Sequence, residues 1–94
     1  MPLGLSLSRL PLPLTWRYVS TTPGTNGVVV KWGTAQEINV GLFIVERSTD
    51  NVNFELVRKV TPAGNPVQND YSITDPFRPT ATVYYRIRQI DLDR

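Results

Sequence analysis

Tyr84, Arg86 and Arg88 alternate along "VYYRIRQI" near the end of this 94-residue sequence, a spacing that puts a phenol and two guanidinium groups on one face of a strand. Such a face suits an acidic polysaccharide or a protein partner, because guanidinium groups bind carboxylates in a fork and stack on rings. The competing expectation is cross-strand packing opposite Glu46; exposed pairs of that kind contribute only ~0.2–1 kcal/mol. Asp91 and Asp93, joined by Asp70 or Asp75, are the hard oxygen ligands that calcium takes from turns. No loop carries Asp or Asn at the alternating positions of a dense ligand set, however, and aspartates are ordinary turn formers. With no histidine, the remaining nucleophile scheme is serine with Lys31 or Lys59. Lys31 is expected to point outward and Lys59 to lie near a strand end. Tyr85 is a candidate phenolic acid or base, against a structural role as a tyrosine corner, ring inside and hydroxyl bonded to backbone near the strand entry. Trp32 is either a sugar-stacking platform or a core anchor, and its strand parity favours the core.

Composition narrows these options. The chain has no cysteine and no histidine, which removes disulfides, thiolates, the commonest acid/base group and the commonest transition-metal ligand. No catalytic constellation remains, so the expectation is a protein that is not an enzyme and needs no cofactor. Ten basic and eight acidic residues give a net charge of +2. The basic residues run from Arg9 to Arg94 without the cluster that tracks a phosphate backbone, so nucleic acid is not an expected partner. No apolar run approaches the ~20 residues that span a bilayer. The leucine-rich start lacks a basic leader and is interrupted by Pro11 and Pro13, so it reads as neither a membrane span nor a signal peptide.

The elements that would position these residues are strands. Apolar positions alternate with period two, are rich in Val, Ile, Thr and aromatics, and are bounded by Gly, Pro, Asn or Asp. Six strands are predicted, over residues 12–21, 28–32, 42–48, 54–60, 71–75 and 82–90, in one domain. Prolines at the start of the first protect an edge. The expected core is Val28, Val30, Trp32, Phe43, Val45, Tyr71, Ile73, Tyr85 and Ile87. Thr34 and Glu37 have the spacing of a capping box, which predicts one short helical turn. Asn51 is placed at the left-handed position of a hairpin. Six such strands with turn signals between them predict an all-β sandwich.

Several motifs in order carry a resemblance: "VVVKWGTAQE", "VERS", "TDNVNF" and "YYRIRQIDLD". Together they resemble the fibronectin type III-like domain of secreted and surface proteins of bacteria that use the type IX secretion system, where it often precedes a C-terminal sorting domain. Asn51 stands where that family usually has glycine. The resemblance implies a fibronectin type III or immunoglobulin-like β-sandwich over residues 10–94, lacking the family's seventh, G strand, with residues 1–9 as a lead-in or candidate extra strand. It also implies an extracellular or cell-surface location and a non-catalytic spacer or accessory role in a multidomain protein. The expected partners are then neighbouring domains of a longer chain. The alternative role is adhesion to a polysaccharide or protein through Tyr84, Arg86 and Arg88. In that family the strand at residues 82–90 lies between the strand at 42–48 and the G strand. Its outer edge is therefore expected to be open; the alternating "LGLSLSR" at residues 3–9 either fills it, in the same chain or by strand exchange with a second copy, or is an unpaired lead-in, as termini usually are.

Overall fold

The structure, a computed structural model, describes residues 14–92 and the backbone of residues 3–6. Its strands are β1 (Leu3–Ser6), β2 (Thr15–Gly24), β3 (Gly27–Ala35), β4 (Val40–Ser48), β5 (Glu55–Val60), β6 (Asn69–Asp75) and β7 (Tyr84–Asp91). There is no helix among the described residues. One sheet has the order β2-β3-β6 and the other the order β1-β7-β4-β5. All pairs are antiparallel except β1 with β7, which is parallel.

The core is built by strand parity, because alternate residues of each strand turn to the same face. Val28, Val30 and Trp32 from β3, Ile73 from β6, Phe43 and Val45 from β4, and Tyr85 and Ile87 from β7 are buried, along with Leu14, Val40 and Val83. Both sheets contribute, which makes the arrangement sandwich-like. Tyr71 is only partly buried, and it packs against this cluster rather than inside it. Trp32 stacks on Tyr71 at 5.1 Å and meets Phe43 edge-on at 5.8 Å, so β3, β6 and β4 are joined by aromatic contact. Trp16 of β2 adds a second edge contact to Phe43 at 5.9 Å. Such pairs contribute about 0.5–1.5 kcal/mol each beyond the area they bury.

Several turns differ from the sequence expectation. The β2–β3 turn is only Thr25 and Asn26, since β2 runs on to Gly24 and β3 begins at Gly27. Gly27 has φ 132°, and a Cβ there would lie 2.0 Å from the Asp75 carbonyl oxygen. The helical turn predicted from Thr34 and Glu37 does not form. Gln36 takes a left-handed φ of 57° and Asn39 one of 59°, which ends β3 in a bend. Thr34 still bonds Glu37, but side chain to side chain, with the Thr34 hydroxyl donating to Oε2. Asn51 has φ 61° in the β4–β5 hairpin. There Ser48 Oγ accepts the Asp50 and Asn51 amides, and Asp50 Oδ1 accepts those of Val52 and Asn53. The Asn53 and Val52 amides, together with the Asn53 and Ser48 side chains, hold the Asp50 carboxyl well below the usual carboxylate range.

Candidate functional site

The arginine face is formed where β7 lies beside β4. The register pairs Arg86 with Glu46, Arg88 with Ile44 and Tyr84 with Ser48. Glu46 Oε1 accepts Arg86 Nε at 2.6 Å and Arg88 Nε at 3.1 Å, so one carboxylate gathers both guanidinium groups. The Arg86 guanidinium also sits 3.9 Å from the centroid of the Phe54 ring. Burial pushes the Glu46 carboxyl up, but the hydrogen bonds and charges of Arg86 and Arg88 outweigh it and hold the group below its ordinary value. Tyr84 is half-buried beside them. An acidic ligand would meet two guanidinium groups that already share the Glu46 carboxylate.

A second polar cluster lies between the sheets. Asp75, at the end of β6, is only 1% exposed. Its carboxylate accepts Arg47 Nη1 at 2.8 Å and 2.7 Å, the Tyr85 hydroxyl at 2.5 Å and the Phe77 amide at 3.2 Å. Arg47, whose guanidinium also lies 4.3 Å from the Phe77 ring centroid and bonds Glu55 at 3.1 Å, comes from β4. Asp75 therefore ties β6 in one sheet to β4 and β7 in the other. Burial, and then the Asp75 carboxylate, push the Tyr85 phenol well above its usual value. The expected tyrosine corner is thus corrected in its partner: the Tyr85 ring is inside, but its hydroxyl meets a carboxylate rather than backbone.

The third cluster fastens the loop before β6. Glu37 accepts the Thr34 hydroxyl, the Tyr71 hydroxyl at 2.7 Å and the Gly64 amide at 3.0 Å. Tyr71 in turn accepts the Ala63 amide at 2.8 Å, and the Gln36 amide donates to the Pro66 carbonyl at 3.1 Å. Burial raises the Tyr71 phenol well above its ordinary value; the Ala63 amide lowers it somewhat and the Glu37 carboxylate adds to the rise.

The aspartates weighed as a calcium set are dispersed over this scaffold. Asp70 is exposed and accepts Tyr18 at 2.7 Å and Arg17 at 3.0 Å. Asp75 is consumed as above, Asp91 accepts Gln89 Nε2 at 2.9 Å, and Asp93 lies outside the described residues. Among the described residues no group of three or more acidic side chains is placed to hold a metal ion. Lys31 is exposed on the outer face of β3, with Ser20 and Ser72 as register neighbours, and Lys59 is exposed on edge strand β5. A groove of about 300 Å³ is lined by Pro23, Gly24, Gly27, Val28, Phe77, Arg78 and Pro79. Its one ionisable side chain, Arg78, donates to the Thr25 carbonyl at 3.0 Å.

The Asp75 and Glu37 clusters were not anticipated. A signal for the first was present: Asp75 continues the parity of Tyr71 and Ile73, and Gln89 and Asp91 continue that of Tyr85 and Ile87, so all three fall on the core face. No helix among the described residues is long and apolar enough to cross a membrane. Compared with known proteins, the chain matches no family model, no curated protein and no solved structure.

Proposed function

We propose that this chain is a non-catalytic spacer or accessory module of fibronectin type III-like architecture, belonging to a secreted or cell-surface bacterial multidomain protein. One observation carries the reading. The buried or partly buried ionisable groups that chemistry would recruit, Asp75, Arg47, Glu46, Glu37 and Tyr85, are each engaged in hydrogen bonds between strands or loops of the fold itself. Groups held in this way rigidify a scaffold. The placement of β7 between β4 and another strand supports the fibronectin type III-like reading, as do the two-sheet division and the inward Tyr85. The domain neighbours, the export route and the extracellular location rest on the sequence resemblance.

The adhesion reading draws on the same Tyr84, Arg86 and Arg88 face, and Glu46 stands against it by holding both guanidinium groups in place. A glycan array and a surface-protein pull-down with the intact chain separate the two. The spacer reading expects no specific retention. Retention that Arg88→Ala abolishes, with the melting temperature unchanged, would overturn it in favour of adhesion.

A further inference from the structure

β7 is the strand on which the second sheet closes, and its two sides are held unequally. On one side β4 pairs with it from Tyr84 to Asp91. On the other, β1 covers only Tyr85 to Arg88, with Leu3 beside Tyr85, Gly4 beside Arg86, Leu5 beside Ile87 and Ser6 beside Arg88. Tyr85 and Ile87 are the β7 residues turned to the core at these positions, so Leu3 and Leu5 take the two register places that extend the core face. The match between this segment and this edge is therefore one of pattern as well as of backbone.

The hold is slight. Four residues of parallel ladder supply a few hydrogen bonds with a net contribution of about 0.5–1.5 kcal/mol each, whereas ordering each residue's backbone costs about 1–2 kcal/mol. Docked and released β1 are thus close in free energy. Release exposes an edge and its complementary strand on the same molecule, which is the condition under which identical chains exchange an element. The sequence joining the segment to β2 carries Pro11 and Pro13, and proline biases the residue before it toward extended backbone. Eight residues separate Ser6 from Thr15, a length that fully extended reaches roughly 26–29 Å, enough to serve a neighbour as well as the same chain.

We propose that the β7 edge is a strand-acceptor surface and that its partner in trans is the Leu3–Ser6 segment of a second copy of this chain, docked parallel in the register seen within one chain. This goes beyond the spacer reading, which holds whether or not chains exchange. At low concentration the chain's own segment wins, because a connection this short in sequence presents it at an effective concentration on the order of millimolar. Exchange grows as the chain concentration approaches that value.

The sequence has no cysteine, so introduced thiols report the pairing directly. Ser6→Cys and Arg88→Cys chains, mixed in a glutathione redox buffer, should form a mixed disulfide dimer in excess over a control mixture of Ser6→Cys with Lys31→Cys, whose thiol sits on the other sheet. In the double variant Ser6→Cys/Arg88→Cys, the ratio of interchain to intrachain product should rise about tenfold or more for each tenfold rise in chain concentration below the millimolar range. Sedimentation of the unaltered chain should show a dimer growing in over the same range, independently of how the variants fold. A chain that stays monomeric near millimolar concentration, or a mixed disulfide no more abundant than the control, would overturn the proposal. Binding or non-binding of glycans has no bearing on these readouts.

Discussion

Replacing Asp75 by Asn keeps the shape of the side chain and removes its charge where hydrogen bonds join β6 to β4 and β7. In the native fold both carboxylate oxygens face donors: Arg47 on each, the Tyr85 hydroxyl on Oδ2, and the Phe77 amide on Oδ1. An amide has one acceptor oxygen and two N–H donors, so at least one donor–donor clash replaces a hydrogen bond. Arg47 is also left with a partly buried charge, its side chain being 17% exposed. Removing one partner of a buried ion pair costs about 3–5 kcal/mol. Arg47 keeps Glu55 and the Phe77 ring, which places the expected loss near the lower end, about 3 kcal/mol. For a domain of this size that lowers the Tm by roughly 12–24 °C. Tyr85→Phe removes only one hydrogen bond to a charged acceptor and should cost about 1.5–3 kcal/mol. Because the two residues touch, the double variant should lose less than the sum, with a coupling of about 0.5–3 kcal/mol. Thermal melts and urea titrations of the four proteins give every quantity. An Asp75→Asn chain melting within about 3 °C of the parent, or strict additivity with Tyr85→Phe, would refute the view that Asp75 ties the sheets together.

Two further outcomes follow from the core and the titrating groups. Trp32→Ala removes a fully buried ring stacked on Tyr71 and set edge-on to Phe43; at about 3–5 kcal/mol from a total near 5–15 kcal/mol, near-UV circular dichroism should show a protein at or close to unfolding at 37 °C. A cooperative melt close to that of the parent would place Trp32 outside the core. Glu46, Asp50 and Asp70 have depressed carboxyl values, so their contribution is present above the unfolded value near pH 4 and is lost as the pH falls further. Tyr71 and Tyr85 have raised phenol values, so theirs is present below about pH 10 and is lost as the pH rises beyond it. Stability should therefore be level between about pH 5 and 9 and fall on both sides. Tyrosine absorbance followed with pH should show these two phenols ionising only as the protein unfolds, and early ionisation of all four tyrosines would contradict their engagement.

Strand periodicity made much of the fold legible. "VVVKW" and "VYYRIRQI" assign their inner faces without ambiguity, because a slip of one residue would expose Trp32 or Tyr85. What periodicity does not encode is where a chain leaves the strand. Gln36 and Asn39 take left-handed backbone, and that choice depends on Glu37 being held from the other side by Gly64 and Tyr71, contacts between residues 27 and 34 positions apart. The capping-box spacing of Thr34 and Glu37 brings the two residues together, but side chain to side chain and without the helical turn, for that reason. Asp75 is weighed from sequence only as a calcium ligand or an ordinary turn former; its engagement comes from Arg47 on a strand of the opposite sheet. The pairing of Arg86 and Arg88 with Glu46 was readable, since it needs only the parity of two adjacent strands.

The spacer reading turns on whether Arg86 and Arg88 belong to Glu46 or to a ligand, and the side-chain Nε–Hε resonances of the two arginines report this directly. Both groups donate through Nε to Glu46, so both resonances should be shifted from free arginine and slowed in exchange with water. They should stay unchanged when sulfated or carboxylated oligosaccharides are added to millimolar concentration, and should collapse toward free values in Glu46→Ala, which removes the acceptor. Saturable movement of the two resonances at micromolar oligosaccharide would contradict the account and assign the face to adhesion.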